Sequence, residues 1–275
     1  MLSHLILPLV CLLACSAPAP KPDPQAEAWA EHYQTGRAAF ENSRFAEAQQ
    51  AFSQALTLAA QFAPGDQRYS RTAHQLAQLH VLQGKLAQAE SLYLHLLDLE
   101  KTLPDHHPDK VLTLDKLGDT YRLQKHPAKA EALYQRVLAF QQTHQGDGEA
   151  AATMKKLAAI YRLQQRRQAA DSLAQRARAL TLRTQAYGYF VQGDYRRAEP
   201  LLQSALALEE KHFGVDHPDL SRTCYYLGRL YDAQDHYRKA EHFYRRALAL
   251  EDGHDPDQIQ PTLDALIART ASAAR

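Results

Sequence analysis

The sequence predicts an all-α protein in which about six helical hairpins stack and a C-terminal helix covers the last one. Three observations support this class. Helix-favouring Ala, Leu, Gln, Arg and Glu dominate the 275 residues, whereas glycine occurs only 11 times. Runs of β-branched residues flanked by turn glycines hardly appear. A helical pattern also recurs about every 40 residues, which is typical of repeat proteins.

An alanine marks each copy of the repeat. Six segments, among them RFAEAQQAFSQAL and HYRKAEHFYRRAL, align on this alanine. The aligned residues are Ala48, Ala89, Ala130, Ala170, Ala198 and Ala240. Subtracting successive positions gives 41, 41, 40, 28 and 42. We interpret these alanines as small side chains on the second helix of each hairpin that let the first helix approach closely.

A second pattern precedes each alanine and pairs a small residue with a tyrosine three positions later. This spacing places both side chains on one face of a helix, where the small residue allows close approach and the ring fills the space one turn along. The pairs are Gly118 with Tyr121, Ala158 with Tyr161, Ala186 with Tyr189, and Gly228 with Tyr231. Two helices therefore pack as a hairpin, which needs its neighbours to bury its apolar surface.

The triplet His-Pro-Asp occurs twice, at 107–109 and 217–219. It is also the signature of J-domain co-chaperones, but a J domain carries it once. Here it returns each time ahead of a similar segment, which indicates a turn between repeats. We expect the proline at a helix start and the aspartate as the helix cap.

These motifs resemble the tetratricopeptide repeat (TPR). The spacing of about 42 residues exceeds the ordinary repeat of about 34 residues and resembles the longer form found in kinesin light chains. The best copies are TLDKLGDTYRLQKHPAKAEALYQRVL and TCYYLGRLYDAQDHYRKAEHFYRRALAL, and the resemblance covers residues 29–250. It implies a right-handed α-α superhelix whose first helices line a concave groove.

The array is predicted to be irregular near residues 178–186. The interval from Ala170 to Ala198 is shorter than even an ordinary repeat of about 34 residues. No proline or glycine interrupts this region before Gly188, so one long helix can cross the repeat boundary. Residues 251–275 are predicted to form a final half-repeat, with Leu263, Leu266 and Ile267 covering the open end.

The N-terminus resembles a bacterial lipoprotein signal. Residues 1–14 contain a short apolar core, and Leu12-Leu13-Ala14-Cys15 is similar to a lipobox. This implies cleavage before Cys15, a lipid on that cysteine, and a Pro-rich tether over residues 15–28. Ser16 after the cysteine points to the outer membrane. Residues 1–4 contain no Lys or Arg, so an ordinary secretory signal, or a cytoplasmic chain without a signal, remains an alternative.

Composition and motifs argue against several function classes. Lys and Arg total 32 against 31 Asp and Glu, so nucleic acid is not an expected partner. The sequence contains no G-x-x-x-x-G-K-[ST], G-x-S-x-G or H-E-x-x-H motif, and we expect neither an enzyme nor a cofactor. We assign no metal site, since the histidines around His106 and within 251–257 fit solvated loops. Cys224 fits a small buried apolar residue.

The resemblance assigns groove positions to the first helices. The candidate partner-binding residues are Arg71, His74, Arg122, Lys155, Arg162, Arg222, Tyr225 and Arg229. Cations outnumber anions there, so the predicted partner is an acidic or mixed-charge protein segment; Asp115 and Asp119 are the groove anions, and Asp119 can neutralise Arg122. Solvated surface charges are the alternative. The positions at which chaperone-binding TPRs clamp a carboxylate hold Gln78, Asp119, Ala159 and Arg229, so that clamp is not evident.

The sequence therefore predicts a non-enzymatic scaffold for protein-protein interaction, tethered to the periplasmic side of a bacterial membrane, that recruits or organises an envelope assembly. One alternative is a cytoplasmic adaptor or sensor in signalling. Another is the non-catalytic part of an enzyme complex.

Overall fold

The computed structural model describes residues 23–63, 65–104, 107–144, 147–250 and 256–273, and within these ranges it contains twelve α-helices and no strand. The helices are α1 (Pro24–Glu41), α2 (Phe45–Ala59), α3 (Gln67–Leu82), α4 (Leu86–Leu99), α5 (Pro108–Leu123), α6 (Pro127–His144), α7 (Asp147–Leu163), α8 (Arg167–Val191), α9 (Tyr195–Phe213), α10 (Leu220–Ala233), α11 (Tyr237–Ala249) and α12 (Pro256–Ala273). A short 3₁₀ helix follows α4 at Glu100–Thr102. The predicted all-α class is confirmed.

The N-terminal prediction needs one correction. Helix α1 begins at Pro24, inside the segment 15–28 predicted as a tether, because Asp23 caps it: the Gln25 N–H donates to the Asp23 carboxylate at 3.0 Å. The predicted signal peptide 1–14 and the lipid-bearing Cys15 lie outside the described residues.

The chain divides into two compact units, with the boundary inside α3 between Leu79 and His80. In the first unit, the Phe52 ring of α2 packs on Gly36 of α1, where a Cβ atom would lie 2.6 Å from Cδ1. Trp29 stacks on Tyr33 with ring centroids 5.0 Å apart and donates from Nε1 to the Thr72 hydroxyl at 3.1 Å. Small residues and aromatic rings thus hold α1 against α2, as the repeat pattern suggests.

The second unit repeats the same hairpin arrangement. Helices α5 and α6 form the third hairpin along the chain, and α10 and α11 form the sixth. In both, a tyrosine ring of the second helix lies on a glycine of the first: a Cβ atom on Gly118 would lie 2.8 Å from Tyr134, and one on Gly228 would lie 2.5 Å from Tyr244. The glycines are present because the rings leave no room for a side chain.

The first helices of this unit end in a common turn. The Tyr121 carbonyl accepts from the His126 N–H at 2.9 Å, and the Tyr231 carbonyl accepts from the His236 N–H at 2.9 Å. One turn residue has a positive φ in each case, 62° at Lys125 and 59° at Asp235. This left-handed turn satisfies the last carbonyls of the first helix and reverses the chain into the second.

One helix crosses the predicted junction at residues 178–186. Helix α8 extends over 25 residues and combines the second helix of the fourth hairpin with the first helix of the fifth. Its buried residues include Ala170, Ala177, Ala179 and Ala186. Because no proline or glycine interrupts the segment until Gly188 near the end of the helix, the backbone hydrogen bonding continues without a break.

The two His-Pro-Asp turns cap their helices differently: His107 is the N-cap residue of α5, contrary to the prediction, whereas Asp219 is the N-cap residue of α10, as predicted, although its side chain makes no capping hydrogen bond. Nδ1 of His107 accepts from the Asp109 N–H at 3.3 Å, and Nδ1 of His217 accepts from the Asp219 N–H at 3.2 Å. Pro108 is the first residue of α5, whereas α10 begins two residues after Pro218. In both turns a histidine nitrogen, and not the aspartate carboxylate, accepts the N–H of the aspartate near the helix start.

Helix α12 covers the sixth hairpin with a different face from the one predicted. Leu263 and Leu266 are buried as part of the core with α10 and α11, but Ile267 is 39% exposed and Ile259 is buried instead. Residues 259, 263 and 266 recur at helical spacing on one face, and Ile267 lies at the edge of that face, about 100° around the helix from Leu266.

Candidate functional site

The predicted groove residues lie in both units. Arg71 and His74 lie on α3 in the first unit, where the exposed Arg71 guanidinium donates to the Gln67 side chain at 3.3 Å and His74 is partly buried. The other six residues lie in the second unit, on α5, α7 and α10.

Three of the predicted cations contact different groups. The Arg122 guanidinium lies 3.9 Å from the Asp119 carboxylate, and that of Arg162 lies 3.8 Å from Asp171. Lys155 Nζ donates to the Thr181 hydroxyl at 3.2 Å. All three side chains are exposed, and ion pairs of this length on a surface contribute little stability.

A different lysine neutralises the acidic pair of α5. Lys156 Nζ lies 2.7 Å from the Asp115 carboxylate and 2.8 Å from that of Asp119. The Tyr134 hydroxyl donates to Asp119 at 2.7 Å. The expected neutralisation of Asp119 by Arg122 is therefore a minor contact, since a half-buried lysine of the following hairpin is closer and bridges both carboxylates.

Arg222 is part of a charge network and is not a free groove cation. Asp147 at the start of α7 receives two hydrogen bonds from Arg183, at 2.6 and 2.8 Å, and one from Arg222 at 3.1 Å. Arg183 also contacts Glu209 at 3.5 Å and donates to the Thr223 hydroxyl at 3.2 Å. Arg183 is 4% exposed and Glu209 is 2% exposed, so the network is buried at these two residues and reaches the surface at Arg222, whose side chain is 51% exposed.

The pKa values of Glu209 and Asp147 are shifted in opposite directions. Burial raises the pKa of Glu209 to about 7, although the charge of Arg183 acts to lower it. Burial also acts to raise the pKa of Asp147, but the hydrogen bonds and charges of Arg183 and Arg222 outweigh it and hold that pKa below its usual range. The repeat pattern points to neither Arg183 nor Glu209, because the contact between them depends on how α8 and α9 pack.

The last two predicted groove residues, Tyr225 and Arg229, line a cavity of about 540 Å³. The Arg229 guanidinium lies 5.2 Å from the Phe190 ring centroid and 5.9 Å from that of Tyr225, within the range of cation-π attraction. The rings of Tyr225 and Tyr244 are also adjacent, with centroids 5.9 Å apart.

Polar groups complete this cavity. The Asp232 carboxylate pairs with Arg269 of α12 at 2.5 Å. The Tyr244 side chain is buried, and its hydroxyl makes no hydrogen bond among the described residues. The walls include Phe190, Tyr225, Arg229, Asp232, Tyr244 and Arg269.

The residues predicted to have structural roles lie where hairpins pack. The Tyr231 hydroxyl donates to Glu199 at 2.8 Å, and that of Tyr161 accepts from Gln135 at 3.2 Å. Cys224 is buried, and burial raises the pKa of its thiol to about 12. The repeat positions with at most 8% exposure are Ala48, Ala89, Tyr121, Ala130, Ala158, Tyr161, Ala170, Ala186, Ala198, Tyr231 and Ala240.

Membrane-spanning helices and metal clusters are not found in the described part of the chain. No helix there combines the length and the apolar character that a membrane span requires. No group of three or more His, Cys, Asp or Glu side chains in these ranges is arranged to hold a metal ion.

The packing of paired helices, the glycine-tyrosine contacts and the common turn define a helical repeat protein. A family model of the tetratricopeptide repeat matches residues 27–102, 70–143 and 178–250. These matches cover more than half of the chain, which therefore belongs to the TPR family. The segment left between the matches contains α7 and the beginning of α8, next to the irregular junction. No curated protein sequence matches the chain.

The solved structures that are similar to this chain have low sequence identity to it. The apo form of RapI is similar over 84% of this chain and 85% of its own, with 13% identity and a TM-score of 0.54. A Podosopora anserina protein with nearly identical TPR-like repeats of the kinesin light chain kind has 19% identity over 83% of this chain and 96% of its own, with a TM-score of 0.47. BtubC from P. vanneervenii has 17% identity over 83% and 91%, with a TM-score of 0.41.

Proposed function

We propose that this protein is a non-enzymatic TPR lipoprotein that recruits or organises proteins of a bacterial envelope assembly. Its repeats form the scaffold, and a lipid on Cys15 tethers it to the periplasmic face of the outer membrane. Family membership supports the scaffold, since TPR hairpins present rigid helical surfaces to protein partners. The lipobox-like segment before Cys15 and the prolines that follow support the tether.

The exposed cations of the first helices make only weak contacts within the described chain, and this observation supports the binding proposal. Arg122 and Arg162 are exposed, and their ion pairs are loose, at 3.9 and 3.8 Å. Lys155 is held only by a hydroxyl group. These cations can exchange their weak contacts for the carboxylates of an acidic or mixed-charge segment at small cost, because exposed pairs of this kind contribute little.

Crosslinking in the native membrane followed by affinity purification identifies the partner. Replacing Arg122, Lys155 and Arg162 together by alanine should then weaken binding several-fold or more, and added salt should weaken wild-type binding in the same way. Arg245→Ala is the control, because Arg245 is also an exposed cation but lies on a second helix, paired with Glu241. A folded triple variant that binds the partner as tightly as wild type would contradict this use of the cations.

Fatty-acid labelling tests the tether. Labelled palmitate should enter the wild type and the Cys11→Ser variant but not the Cys15→Ser variant. Cys11 lies in the same segment and controls for nonspecific acylation. Equal labelling of the Cys15→Ser variant would exclude the proposed anchor. The absence of Lys and Arg from residues 1–4 favours a second candidate, a cytoplasmic TPR adaptor; recovery of unlabelled protein in the cytoplasmic fraction would support it.

A further inference from the structure

The third and sixth hairpins are close copies of each other, and Gly118 and Tyr134 of the third correspond to Gly228 and Tyr244 of the sixth. In both hairpins the tyrosine ring covers the glycine. The residue after the glycine differs: it is Asp119 in the third hairpin and Arg229 in the sixth.

In the third hairpin the buried tyrosine has an acceptor. The Tyr134 hydroxyl donates to the Asp119 carboxylate at 2.7 Å, and Lys156 neutralises that carboxylate at 2.8 Å. The three groups form a complete set in which a hydroxyl donor and a cation share one carboxylate.

The sixth hairpin has no carboxylate at the position of Asp119, which is occupied by Arg229. Arg229 presents only N–H donors, so it cannot accept the proton of the Tyr244 hydroxyl. That hydroxyl is buried and makes no hydrogen bond among the described residues. Within the same ranges Arg229 makes no ion pair and is flanked by the rings of Phe190 and Tyr225. An unsatisfied buried hydroxyl is uncommon in folded proteins and calls for an explanation.

The surroundings provide space for the missing group. Tyr244 and Arg229 line the same cavity, of about 540 Å³, whose other walls include the rings of Phe190 and Tyr225. The one carboxylate that lines it, Asp232, is paired with Arg269 at 2.5 Å. A carboxylate that enters the cavity therefore meets a cation and a hydroxyl donor together, beside the aromatic rings of Phe190 and Tyr225.

We propose that this cavity binds a carboxylate of a partner protein, which accepts hydrogen bonds from the Arg229 guanidinium and the Tyr244 hydroxyl. The bound carboxylate takes the place that Asp119 has in the third hairpin. This inference rests on the proposed scaffold function and adds a definite recognition element to it, separate from the cations of α5 and α7. An acidic side chain within the partner and a free C-terminus can both supply the carboxylate.

Four synthetic peptides distinguish these sources. One capped peptide carries a single glutamate between two phenylalanines, and its twin carries glutamine. The second pair ends in phenylalanine, either as the free acid or as the amide. Calorimetric titration of the whole chain should show that the acid in at least one pair binds about tenfold or more tightly than its neutral twin. The pair with the larger ratio identifies the source of the carboxylate.

Variants assign that binding to the site. Arg229→Gln and Tyr244→Phe should each weaken acid binding by about tenfold, whereas Arg229→Lys should retain part of it. Tyr134→Phe is the matched control and should bind as wild type does. Arg229→Asp should abolish binding while the chain remains folded, because it supplies the acceptor from within, as Asp119 does. Circular dichroism verifies the folding of each variant.

The inference is overturned if no acid binds better than its neutral twin, or if Arg229→Gln and Tyr244→Phe bind as wild type does. The scaffold proposal can fail separately. If native partners are still recovered by the wild type and by Arg229→Gln when the peptides do not bind, the carboxylate site is wrong and the scaffold stands. If the peptides bind but no partner is crosslinked in the membrane, the scaffold proposal is the one contradicted.

Discussion

The third and sixth hairpins share their packing and differ in their polar contacts. Gly118 and Gly228 each lie under a tyrosine ring, and the turns that follow have the same hydrogen bonds. Only the third hairpin satisfies the hydroxyl of that tyrosine internally, through Asp119. In the sixth hairpin, Arg229 occupies the equivalent position and the hydroxyl has no partner among the described residues.

This difference shows that two sets of residues act separately in a TPR hairpin. The small residues and rings determine how closely the two helices approach, and they tolerate little change because the core is close-packed. The residue next to the glycine lies outside this contact, so it can be acidic in one hairpin and basic in another without altering the fold. A position of this kind can be used for binding, whereas the glycine cannot.

The largest expected effect is a pH dependence of stability that acts on the sixth hairpin and not on the third. Glu209 belongs to the network that contacts Thr223 on α10 through Arg183, and burial raises its pKa from 4.5 to about 7. At a pH between these two pKa values, Glu209 is ionised in the unfolded chain but protonated in the folded chain. Stability should therefore fall as pH rises from about 4.5 to 7, by up to about 3 kcal/mol, and stay level above that.

Glu209→Gln should remove this pH dependence, which urea unfolding at pH 5 and pH 7 measures. The difference between variant and wild type is the quantity to compare, because burial lowers the pKa of His80 and gives the opposite trend in this range. Hydrogen exchange should show α10 losing protection before α5, since repeats couple mainly to their neighbours. Equal pH dependence in variant and wild type would contradict the prediction.

The next effect tests the shared packing. Gly118→Leu and Gly228→Leu should each lower the free energy of unfolding by about 1–3 kcal/mol, because the new side chain overlaps the tyrosine ring. Gly188→Leu is the control: a Cβ atom there meets nothing within 4 Å, so stability should not fall. Thermal unfolding of the three variants is the measurement. Unchanged midpoints for the first two would show that the glycines do not determine the approach of the helices.

A smaller effect is expected from removing the hydroxyl groups of Tyr134 and Tyr244, and it should differ between the two tyrosines. Tyr134→Phe removes a hydrogen bond to the Asp119 carboxylate and should cost about 1–2 kcal/mol. Tyr244→Phe removes a hydroxyl that has no partner among the described residues, so it should change the stability of the unliganded chain by less than about 0.5 kcal/mol or increase it. Urea denaturation of both variants makes the comparison, and equal losses would show that Tyr244 has a partner.

The smallest effect is expected when the sixth hairpin is given the aspartate that the third hairpin has at the equivalent position. Arg229→Asp provides an acceptor for the Tyr244 hydroxyl and should raise the free energy of unfolding by about 1 kcal/mol. Combining it with Tyr244→Phe should cancel the gain, because the effects of residues in direct contact are not additive. A double variant that keeps the full gain would show that the stabilisation has another origin.

Much of the fold follows from local spacing. The alanines that recur about every 40 residues and the small-aromatic pairs predict the hairpins, since a helix places residues three and four apart on one face. The absence of proline and glycine before Gly188 allows a long helix, and α8 extends through that region. The position of Tyr225 and Arg229 on one face of α10 follows from the same periodicity.

The sequence by itself thus determined the helices, their apolar faces and the family to which the chain belongs, because these depend on residues close together in the chain. The tertiary structure alone decided which groups pair across helices. Lys156, and not Arg122, bridges Asp115 and Asp119; Arg183 meets Asp147 and Glu209; and Ile259, and not Ile267, joins the core. The physical reason is that a shift of one residue, about 100° around a helix, moves a side chain to another neighbour without changing the repeat pattern. The unpartnered hydroxyl of Tyr244 is likewise decided only by the tertiary structure, since it depends on which residue of α10 faces α11.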